Sequence, residues 1–259
     1  MRKLILAALL IVFPLGSQDI LVNNALLTST VTSIGTIPDP LFELNFDADS
    51  GDYTGTDGSG ACTPASMAYT DTGGGNFAGD LNGTNSIESC GQGLDDGVTN
   101  PSFTIFGWFN HDTFGESSVG RIIAKSASAG GDWQVTLNDT SDFDRIQMII
   151  ASASAGSNNY NAPDDSVLLD GWYSYGVVVS NCADLSTCAV QIYVNGSAVT
   201  TSKVGTATGA RASNPTNAVV IGNFADTSRT FDGLIDYHRV WSEALTAEQI
   251  AVLHAEGRL

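Results

Sequence analysis

Two aromatic side chains and the amides beside them are the residues of this sequence best suited to hold a sugar. Trp133 follows the glycine pair of GGDW at the exit of a loop, and Tyr160 lies in the turn-rich run GSNNYNAPDD. A flat aromatic face covers the apolar side of a pyranose ring, and amides donate and accept hydrogen bonds. We therefore predict that Trp133, Asn158, Asn159 and Tyr160 bind a ligand. The alternative for the amides is that they only form turns.

Aspartates gather in two parts of the sequence. Asp47, Asp49 and Asp52 follow the run LFELNF, and Asp232 and Asp236 lie in FDGLIDYHRVW. Carboxylates combined with backbone carbonyls on flexible loops are the ligands that Ca²⁺ prefers. The alternative is structural, with the aspartates starting Asx turns or bonding to a neighbouring strand. The residues by themselves leave both interpretations open.

Catalytic motifs are absent from the sequence. There is no G-x-S-x-G elbow, no H-E-x-x-H pair and no glycine loop for a phosphate. His111, His238 and His254 are scattered, and we expect each of them at the surface or in helix packing rather than acting as a base. We predict no catalytic residues and a protein that is not an enzyme.

Charge excludes two classes of partner. The 259 residues include 28 acidic and 10 basic side chains, which gives a net charge of −18. Nucleic acids and anionic lipids need neutralisation by lysine and arginine, so we expect neither partner. The acidity itself indicates solubility in a salty medium, with cation capture as the alternative.

The first residues resemble an export signal. Arg2 and Lys3 precede an apolar run from Leu4 to Leu15, which is too short for a membrane-spanning helix of roughly 20 residues. We predict a signal peptide over residues 1–17, a secreted or cell-surface protein, and no membrane span. Residues 18–40 then form an arm that serves as a linker, an edge strand or a subunit contact.

Four cysteines agree with an oxidising compartment. Cys182 and Cys188 stand six apart, a spacing suited to closing a loop between strands, which leaves Cys62 to pair with Cys90. Four cysteines permit three connectivities, and we predict this one. Zinc is the competing use, but no C-x-x-C pair occurs.

From Leu41 onward the sequence consists of short β runs separated by turns. Phe42, Leu44 and Phe46 alternate with polar residues, which predicts a half-buried strand, whereas 47–85 reads mainly as surface loops. SFTIFGWF, at 102–109, predicts a central strand that is covered on both faces. Further strands are expected at 121–125, 133–137, 145–151, 172–180, 189–194, 218–222 and 233–241. The Asn195-Gly196 dipeptide predicts a type I′ hairpin.

One helix closes the chain. Thr246 as N-cap and Gln249 at N3 form a capping box, Leu245 and Ile250 a hydrophobic staple, and Gly257 occupies the C′ position. The fold that we predict is all-β, a two-sheet antiparallel jelly-roll sandwich with one short C-terminal helix, over residues 41–259.

These motifs, in this order, resemble the laminin G-like domain of the concanavalin A-like superfamily over residues 41–257. The matching runs are LFELNFDADSG, GDLNGTNSIE, SFTIFGWF, GWYSYGVVVS followed by YVNG, and FDGLIDYHRVWSEALTAEQIAVLHAEG. The resemblance implies a structural Ca²⁺ held by Asp47 and Asp236. Tyr237 departs from the family pattern, which usually has an acid there. Glycan-cleaving relatives of the laminarinase type use an E-x-D-x-x-E strand, and this chain has none.

The function expected from these features is a secreted or surface-displayed carbohydrate-binding or adhesive module without catalysis. Its partner would be a glycan or an extracellular surface. The alternative is a structural or assembly subunit of an extracellular filament, sheath or virion, forming a homo-oligomer through residues 18–40. A glycoside hydrolase is the third hypothesis.

Overall fold

The computed structural model describes most of the chain after residue 34. The described ranges are 35–48, 50–55, 62–73, 75–84, 87–90, 101–125, 132–138, 144–213, 215–224 and 226–258, with the backbone alone at 20–22, 25–27, 47–48, 50–55 and 87–88. The predicted signal peptide lies outside these ranges. We number the strands β1 to β19 along the chain.

The chain divides into two compact units, Met1–Gly35 and Thr36–Leu259. Within the first unit, β1 (Ile20–Val22) pairs with β2 (Ala25–Leu27) in an antiparallel ladder. The second unit begins at Thr36, a few residues before the domain start expected from the sequence.

Two antiparallel sheets make up the second unit. The first sheet contains, in spatial order, β16 (Ser197–Ala198), β15 (Ala189–Val194), β14 (Trp172–Ser180), β9 (Phe103–Thr113), β19 (Asp232–Trp241), β3 (Phe42–Ala48) and β4 (Ser50–Gly55). In the same sheet, β7 (Phe77–Asn82) pairs with β19, and β6 (Ala68–Asp71) pairs with β7.

The second sheet lies across the core from the first. Its spatial order is β17 (Ser202–Val204), β13 (Ser157–Asn161), β12 (Arg145–Ala151), β11 (Trp133–Asn138), β10 (Arg121–Lys125), β18 (Val219–Ile221), β8 (Ile87–Ser89) and β5 (Thr63–Ala65). The predicted jelly-roll sandwich is confirmed.

The core follows from the alternation of apolar residues on the strands. Phe42, Leu44 and Phe46 are fully buried while the residues between them are partly exposed, as the period of two requires. Strand β9 is buried on both faces: Ile105 and Phe109 join the main core cluster, and Phe106 joins a second cluster that includes helix residues. The expected central strand is therefore present.

Local signals for the turn and the disulfides are also confirmed. Asn195 and Gly196 have φ of 49° and 74°, the left-handed values that a type I′ turn needs at both positions. Cys62 is bonded to Cys90, and Cys182 to Cys188.

The closing helix, α1 (Ala247–Glu256), has the predicted ends. Thr246 accepts a hydrogen bond from the Gln249 backbone, and the Gln249 side chain accepts one from the Thr246 N–H, which completes the capping box. Leu245 and Ile250 share one buried cluster. No helix in the described part of the chain is long and apolar enough to cross a membrane.

The structure corrects two interpretations of turn-rich sequence. The stretch expected mainly as loops between residues 47 and 85 contains β4, β5 and β6, whereas β7 overlaps the GDLNGTNSIE run that resembles a strand of the family; the run around Tyr160 is β13. These strands are short or amide-rich, so their apolar alternation is too brief or too weak to identify them. A single 3₁₀ turn, Glu116–Ser118, joins β9 to β10.

Candidate ligand-binding site at the end of the sandwich

The two aromatic residues predicted as exposed platforms are both buried, which corrects that prediction. Trp133 is 3% exposed and packs its ring 5.6 Å from that of Phe103, and Tyr160 is also 3% exposed. Asp132, the residue before Trp133, is buried with the guanidinium of Arg211 3.3 Å away. Trp133 is therefore the buried first residue of β11 rather than an exposed loop residue, and neither the Trp133 ring nor the Tyr160 ring is open to a sugar.

The amides beside Tyr160 have structural contacts. Asn158 is fully buried; its Nδ2 donates to the carbonyl oxygen of Ala207 and its Oδ1 accepts from the Ala207 N–H, both at 3.0 Å. Asn159 is half-buried, and its Oδ1 accepts a 3.5 Å hydrogen bond from Ser157. Because side chains alternate along a strand, Asn158 and Tyr160 both face the core. The four predicted residues do not assemble an open site.

A row of amides crosses three strands of the second sheet. Asn138 donates to Gln147 at 3.3 Å, and Gln147 donates to Asn161 at 2.6 Å, with all three side chains buried. These amides contact one another rather than solvent, so this row is not accessible to a ligand in the structure.

Calcium at Asp47 and Asp236 stays a prediction. The strands that carry them, β3 and β19, are neighbours, but the side chain of Asp47 lies outside the described residues. Asp236 is fully buried, with Arg258 Nη1 4.0 Å from its Oδ2. Among the described residues no group of three or more acidic, histidine or cysteine side chains forms a metal cluster. The described residues alone therefore do not make a calcium shell.

Two of the three histidines lie in the core, which corrects the expectation of surface or helix positions. His111 and His238 are fully buried, and desolvation by burial lowers the pKa of His111 to about 4 and that of His238 to about 3. His254 does pack from the helix: its Nδ1 is 2.9 Å from Ser174 Oγ and its ring stacks on Trp108 at 5.3 Å.

An open cavity of about 450 Å³ lies where the β9–β10 connection meets the loop between β13 and β14. We call it the end cavity. Its described lining combines apolar, hydroxyl and carboxylate side chains with one glycine: Thr113, Phe114, Gly115, Ser118, Asp144, Asp165 and Leu169.

Backbone contacts hold the wall that carries Phe114. Gly115 has φ of 76°, and a Cβ there would overlap the carbonyl oxygen of Thr230 and lie 2.7 Å from the Cα of Gly120. The Gly120 N–H donates to the Phe114 carbonyl oxygen at 2.7 Å. Only glycine satisfies both the left-handed φ and this close approach, so Gly115 shapes the wall.

The opposite wall is held to the sandwich by three hydrogen bonds. The Val167 N–H donates to the Asp144 carbonyl oxygen at 3.2 Å, and the Asp170 N–H donates to that of His111 at 3.1 Å. The Leu168 N–H donates to the hydroxyl of Tyr173 at 3.1 Å. These bonds leave Leu168 and Leu169 projecting, 55% and 46% exposed.

Several carboxylates lie close to Thr113, on one side of the end cavity. Burial, followed by the nearby carboxylates of Asp232, Asp170 and Asp80, raises the pKa of Asp112 above its usual value. Asp112 precedes the lining residue Thr113, whose hydroxyl donates to Asp232 at 2.7 Å. The cation closest in sequence to Asp144, Arg145, is paired with Asp164 at 2.6 Å. The described lining contains no basic side chain.

Sequence reasoning did not identify this cavity. Its apolar residues, Phe114 and Leu169, come from loops 55 positions apart in the chain, and nothing local indicates that they meet. The apolar run Val167-Leu168-Leu169, between Ser166 and Asp170, was a usable signal, since adjacent exposed leucines in a loop mark a candidate contact surface.

Comparison with known proteins identifies the family. A family model of the laminin G type, described as the concanavalin A-like lectin/glucanases superfamily, matches residues 68–251. No curated protein matches the sequence.

Solved structures with the same fold include toxin and glycosidase domains. The receptor binding domain of botulinum neurotoxin type G superposes with a TM-score of 0.60 at 15% identity, covering 85% of this chain and 51% of that one. The binding domain of Paraclostridial Mosquitocidal Protein 1 gives 0.60 at 13% identity, covering 84% and 52%. This chain thus spans about half the length of those two domains.

A third structure is matched along nearly its full length. Domain 4 of AbnA, a GH43 extracellular arabinanase from Geobacillus stearothermophilus solved in complex with arabinotriose, gives a TM-score of 0.57 at 20% identity, covering 83% of this chain and 98% of that one. At such identities the likeness is one of fold. The family model, however, covers more than half of the sequence, and this protein therefore belongs to the concanavalin A-like lectin/glucanases superfamily, as a laminin G-like member.

Proposed function

We propose that this protein is a secreted or surface-displayed carbohydrate-binding module that binds its glycan in the end cavity and does not cleave it. The observation that carries the proposal is the composition of the cavity, in which an apolar wall faces hydroxyl and carboxylate groups.

The size and chemistry of the cavity suit a sugar. Its volume of about 450 Å³ falls within the range of roughly 300–1,000 Å³ that is usual for small-ligand sites. Phe114 and Leu169 offer apolar surface for the C–H face of a ring. Thr113, Ser118 and the two lining aspartates offer acceptors, and the hydroxyls also donors, for sugar hydroxyl groups.

The position of the cavity supports the same function. Binding residues of sandwich folds often lie on loops that a rigid scaffold positions, and the end cavity is built from such connections. The arabinotriose complex of the AbnA domain is an instance of a sugar held by a protein of this fold. That neighbour supports the ligand class without specifying the sugar.

Binding is tested with the full chain on a glycan array, followed by titration of each hit against two leucine variants. Leu169→Ala removes an apolar side chain from the cavity lining, whereas Leu168→Ala removes a neighbouring leucine of similar exposure outside it. We expect Leu169→Ala to weaken binding about fivefold or more, in line with the loss of about 1 kcal/mol of apolar contact, and Leu168→Ala to leave it unchanged. An array with no hits, or equal effects of the two variants, contradicts the proposal.

The absence of catalysis is proposed from the sequence, which lacks the E-x-D-x-x-E strand that places the two carboxylates of glycan-cleaving relatives of the laminarinase type on one face. Prolonged incubation with each bound glycan and chromatography of the products provides the test. Release of reducing ends that disappears in Asp144→Asn or Asp165→Asn would establish a hydrolase instead.

Secretion is proposed from residues 1–17 and from the two disulfides, which agree with an oxidising compartment. Expression of the full chain with N-terminal sequencing of the exported product tests it. A mature terminus near residue 18 supports secretion, and an intact, cell-retained chain contradicts it.

A further inference from the structure

We propose that Arg121 and Arg229 form a binding site for one small oxyanion, a carboxylate or a sulfate group. Arg121 is the first residue of β10, and Arg229 lies in the connection between β18 and β19. Neither arginine is among the described lining residues of the end cavity. The inference therefore does not rest on the proposed glycan binding.

Backbone hydrogen bonds hold the two arginines next to each other. The Arg121 N–H donates to the carbonyl oxygen of Arg229 at 3.0 Å, and the Arg229 N–H donates to Asn223 Oδ1 at 3.0 Å. Asn223 is fully buried, and its Nδ2 also donates to Thr230 Oγ1 at 2.6 Å. The loop that carries Arg229 is therefore fixed against the beginning of β10.

The guanidinium of Arg121 is buried without a negatively charged partner. Arg121 is 5% exposed, and its Cζ lies 4.5 Å from the centre of the Phe224 ring. Its Nη1 donates to the Val119 carbonyl oxygen at 3.3 Å, whereas its Nε has no acceptor among the described residues. The ion pairs in the described part of the chain include neither Arg121 nor Arg229. A buried charge without a counterion costs free energy, which a bound anion recovers.

Arg229 adds a second positive charge rather than a counterion. Burial, followed by the positive charge of Arg229, lowers the pKa of Arg121 to about 9. Two like charges repel each other, and an anion between them replaces this repulsion by two attractions. The sequence has only 10 basic residues against 28 acidic ones, so an abundance of basic side chains does not explain why two of them lie together.

The carboxylates nearest to these arginines in the sequence accept hydrogen bonds from other groups. Asp226 Oδ1 accepts from the N–H of Ser228 at 3.1 Å and from its hydroxyl at 2.6 Å. Asp232 Oδ2 accepts from a threonine hydroxyl at 2.7 Å, and Glu116 Oε2 accepts from a backbone N–H at 3.4 Å. The charge of the arginine pair is therefore available to a ligand.

Guanidinium geometry and the overall charge together define the class of ligand. Arginine presents its N–H donors in a planar fork that matches two oxygens of a carboxylate, sulfate or phosphate group. The net charge of −18 repels a polyanion at long range. A ligand with a single anionic group satisfies both conditions, whether it is a free anion or the acidic unit of an otherwise neutral glycan.

Titration of the full chain at constant ionic strength tests the site. Acetate or sulfate replaces chloride up to about 20 mM, where general salt effects on stability are small, and acetamide serves as the uncharged analogue of acetate. The Nε–H signals of the arginines in an isotope-labelled chain report binding directly. We expect acetate or sulfate to shift the Arg121 signal with saturation and to raise the unfolding temperature by mass action. Acetamide should do neither.

Variants connect the response to the arginine pair. Arg229→Gln removes the charge of the half-buried arginine and should weaken anion binding about tenfold, in line with the loss of a charge-assisted hydrogen bond. Arg121→Lys keeps the charge but loses the planar fork, and should also weaken binding. If Arg121→Lys fails to fold, Arg229→Gln still provides the test. The matched control is Lys203→Gln, which removes one positive charge from the edge strand β17 and should bind anions as the parent does.

Oligomers of galactose that carry one galacturonate unit identify the source of the anion. Binding about fivefold or more tighter than that of acetate, and dependent on both Arg229 and Leu169, assigns the anion to a glycan, whereas an affinity equal to that of acetate assigns a free anion. No saturable response to acetate or sulfate, or one that Arg229→Gln leaves unchanged, overturns the inference. The binding of neutral glycans in the end cavity is measured separately, so that result would leave the binding module intact.

Discussion

The indole Nε1 of Trp241, at the end of β19, donates a 2.8 Å hydrogen bond to the carbonyl oxygen of Pro38. Close by, Gln249 Nε2 of the closing helix donates to the carbonyl oxygen of Thr36 at 3.2 Å, and Ile37 packs on the helix cluster. The last residues of the expected arm, Thr36–Pro38, are therefore attached to the jelly roll of the same chain.

This attachment predicts where the chain can be shortened. A chain that begins at Thr36 keeps both hydrogen bonds, whereas one that begins at Leu41 loses them together with the contact of Ile37. We expect the shorter chain to be less stable by roughly 2 kcal/mol, because each hydrogen bond contributes about 1 kcal/mol. Urea unfolding followed by tryptophan fluorescence measures the difference. Equal urea midpoints for the two chains would show that residues 36–40 contribute nothing to the stability of the fold.

The buried histidines predict a loss of stability in mild acid. His111 and His238 have pKa values lowered by burial to about 4 and about 3, against 6.5 in the unfolded chain. Between pH 6.5 and pH 3–4 the unfolded state binds more protons at these histidines than the folded state does. The stability that the two neutral histidines contribute is therefore complete above pH 6.5 and is lost as the pH falls toward 3–4. In this range the free energy of unfolding should fall by about 1.4 kcal/mol per pH unit for each histidine.

The slope is measured by urea unfolding between pH 7.5 and pH 5. His238→Gln should remove about half of the histidine contribution to the slope, even if the variant is less stable at every pH. Val240→Ala, which removes buried apolar atoms and no titratable group, serves as the control: it should lower the free energy of unfolding at every pH and leave its slope against pH unchanged. A His238→Gln slope identical to that of the parent would refute the assignment.

We predict that adding one methyl group at Gly115 lowers the stability of the fold strongly. Gly115→Ala combines a left-handed φ with overlap on Thr230. Gly209 has a similar φ of 80°, but no atom lies within 4 Å of the position that its methyl group would occupy, so Gly209→Ala suffers from backbone conformation alone. We expect losses of roughly 3 kcal/mol for Gly115→Ala and about 1 kcal/mol for Gly209→Ala. Thermal unfolding of both variants checks this, and similar losses for the two would contradict it.

The two disulfides should stabilise the fold unequally. Cys62–Cys90 closes a loop with a sequence separation of 28, and Cys182–Cys188 one of 6. In the chain-entropy model their removal costs about 3.5 and about 2 kcal/mol. Replacing each pair by serine and comparing urea midpoints tests the order, and the reverse order would show that native packing around the shorter loop dominates.

Calcium binding, predicted from the family resemblance, has a direct thermal test. If Asp47 and Asp236 hold Ca²⁺, adding it after chelator treatment should raise the unfolding temperature, because a ligand of the folded state stabilises it by mass action. Asp47→Asn and Asp236→Asn should each abolish the shift, and Asp184→Asn, a carboxylate of the Cys182–Cys188 loop, should preserve it. An unchanged unfolding temperature of the parent chain on addition of Ca²⁺ would contradict the calcium prediction.

Sequence alone was enough for much of the architecture. The alternation in Phe42–Phe46, the left-handed Asn195-Gly196 pair and the Thr246–Gln249 capping box are each set by residues within a few positions of one another. Their physical causes, which are strand periodicity, turn conformation and helix-end hydrogen bonding, are local. They therefore predicted the sandwich, its central strand and its closing helix.

The binding surface depended on contacts between distant parts of the chain. The sequence placed Trp133 at a loop exit, but in the structure Arg211, 78 positions later, contacts the neighbouring Asp132. Leu169 lines a cavity because its loop lies next to Phe114. Neither contact has a local signature, since burial and cavity shape arise where separate loops meet. The strands were thus readable from the sequence, whereas the tertiary structure alone decided which side chains remain open to a ligand.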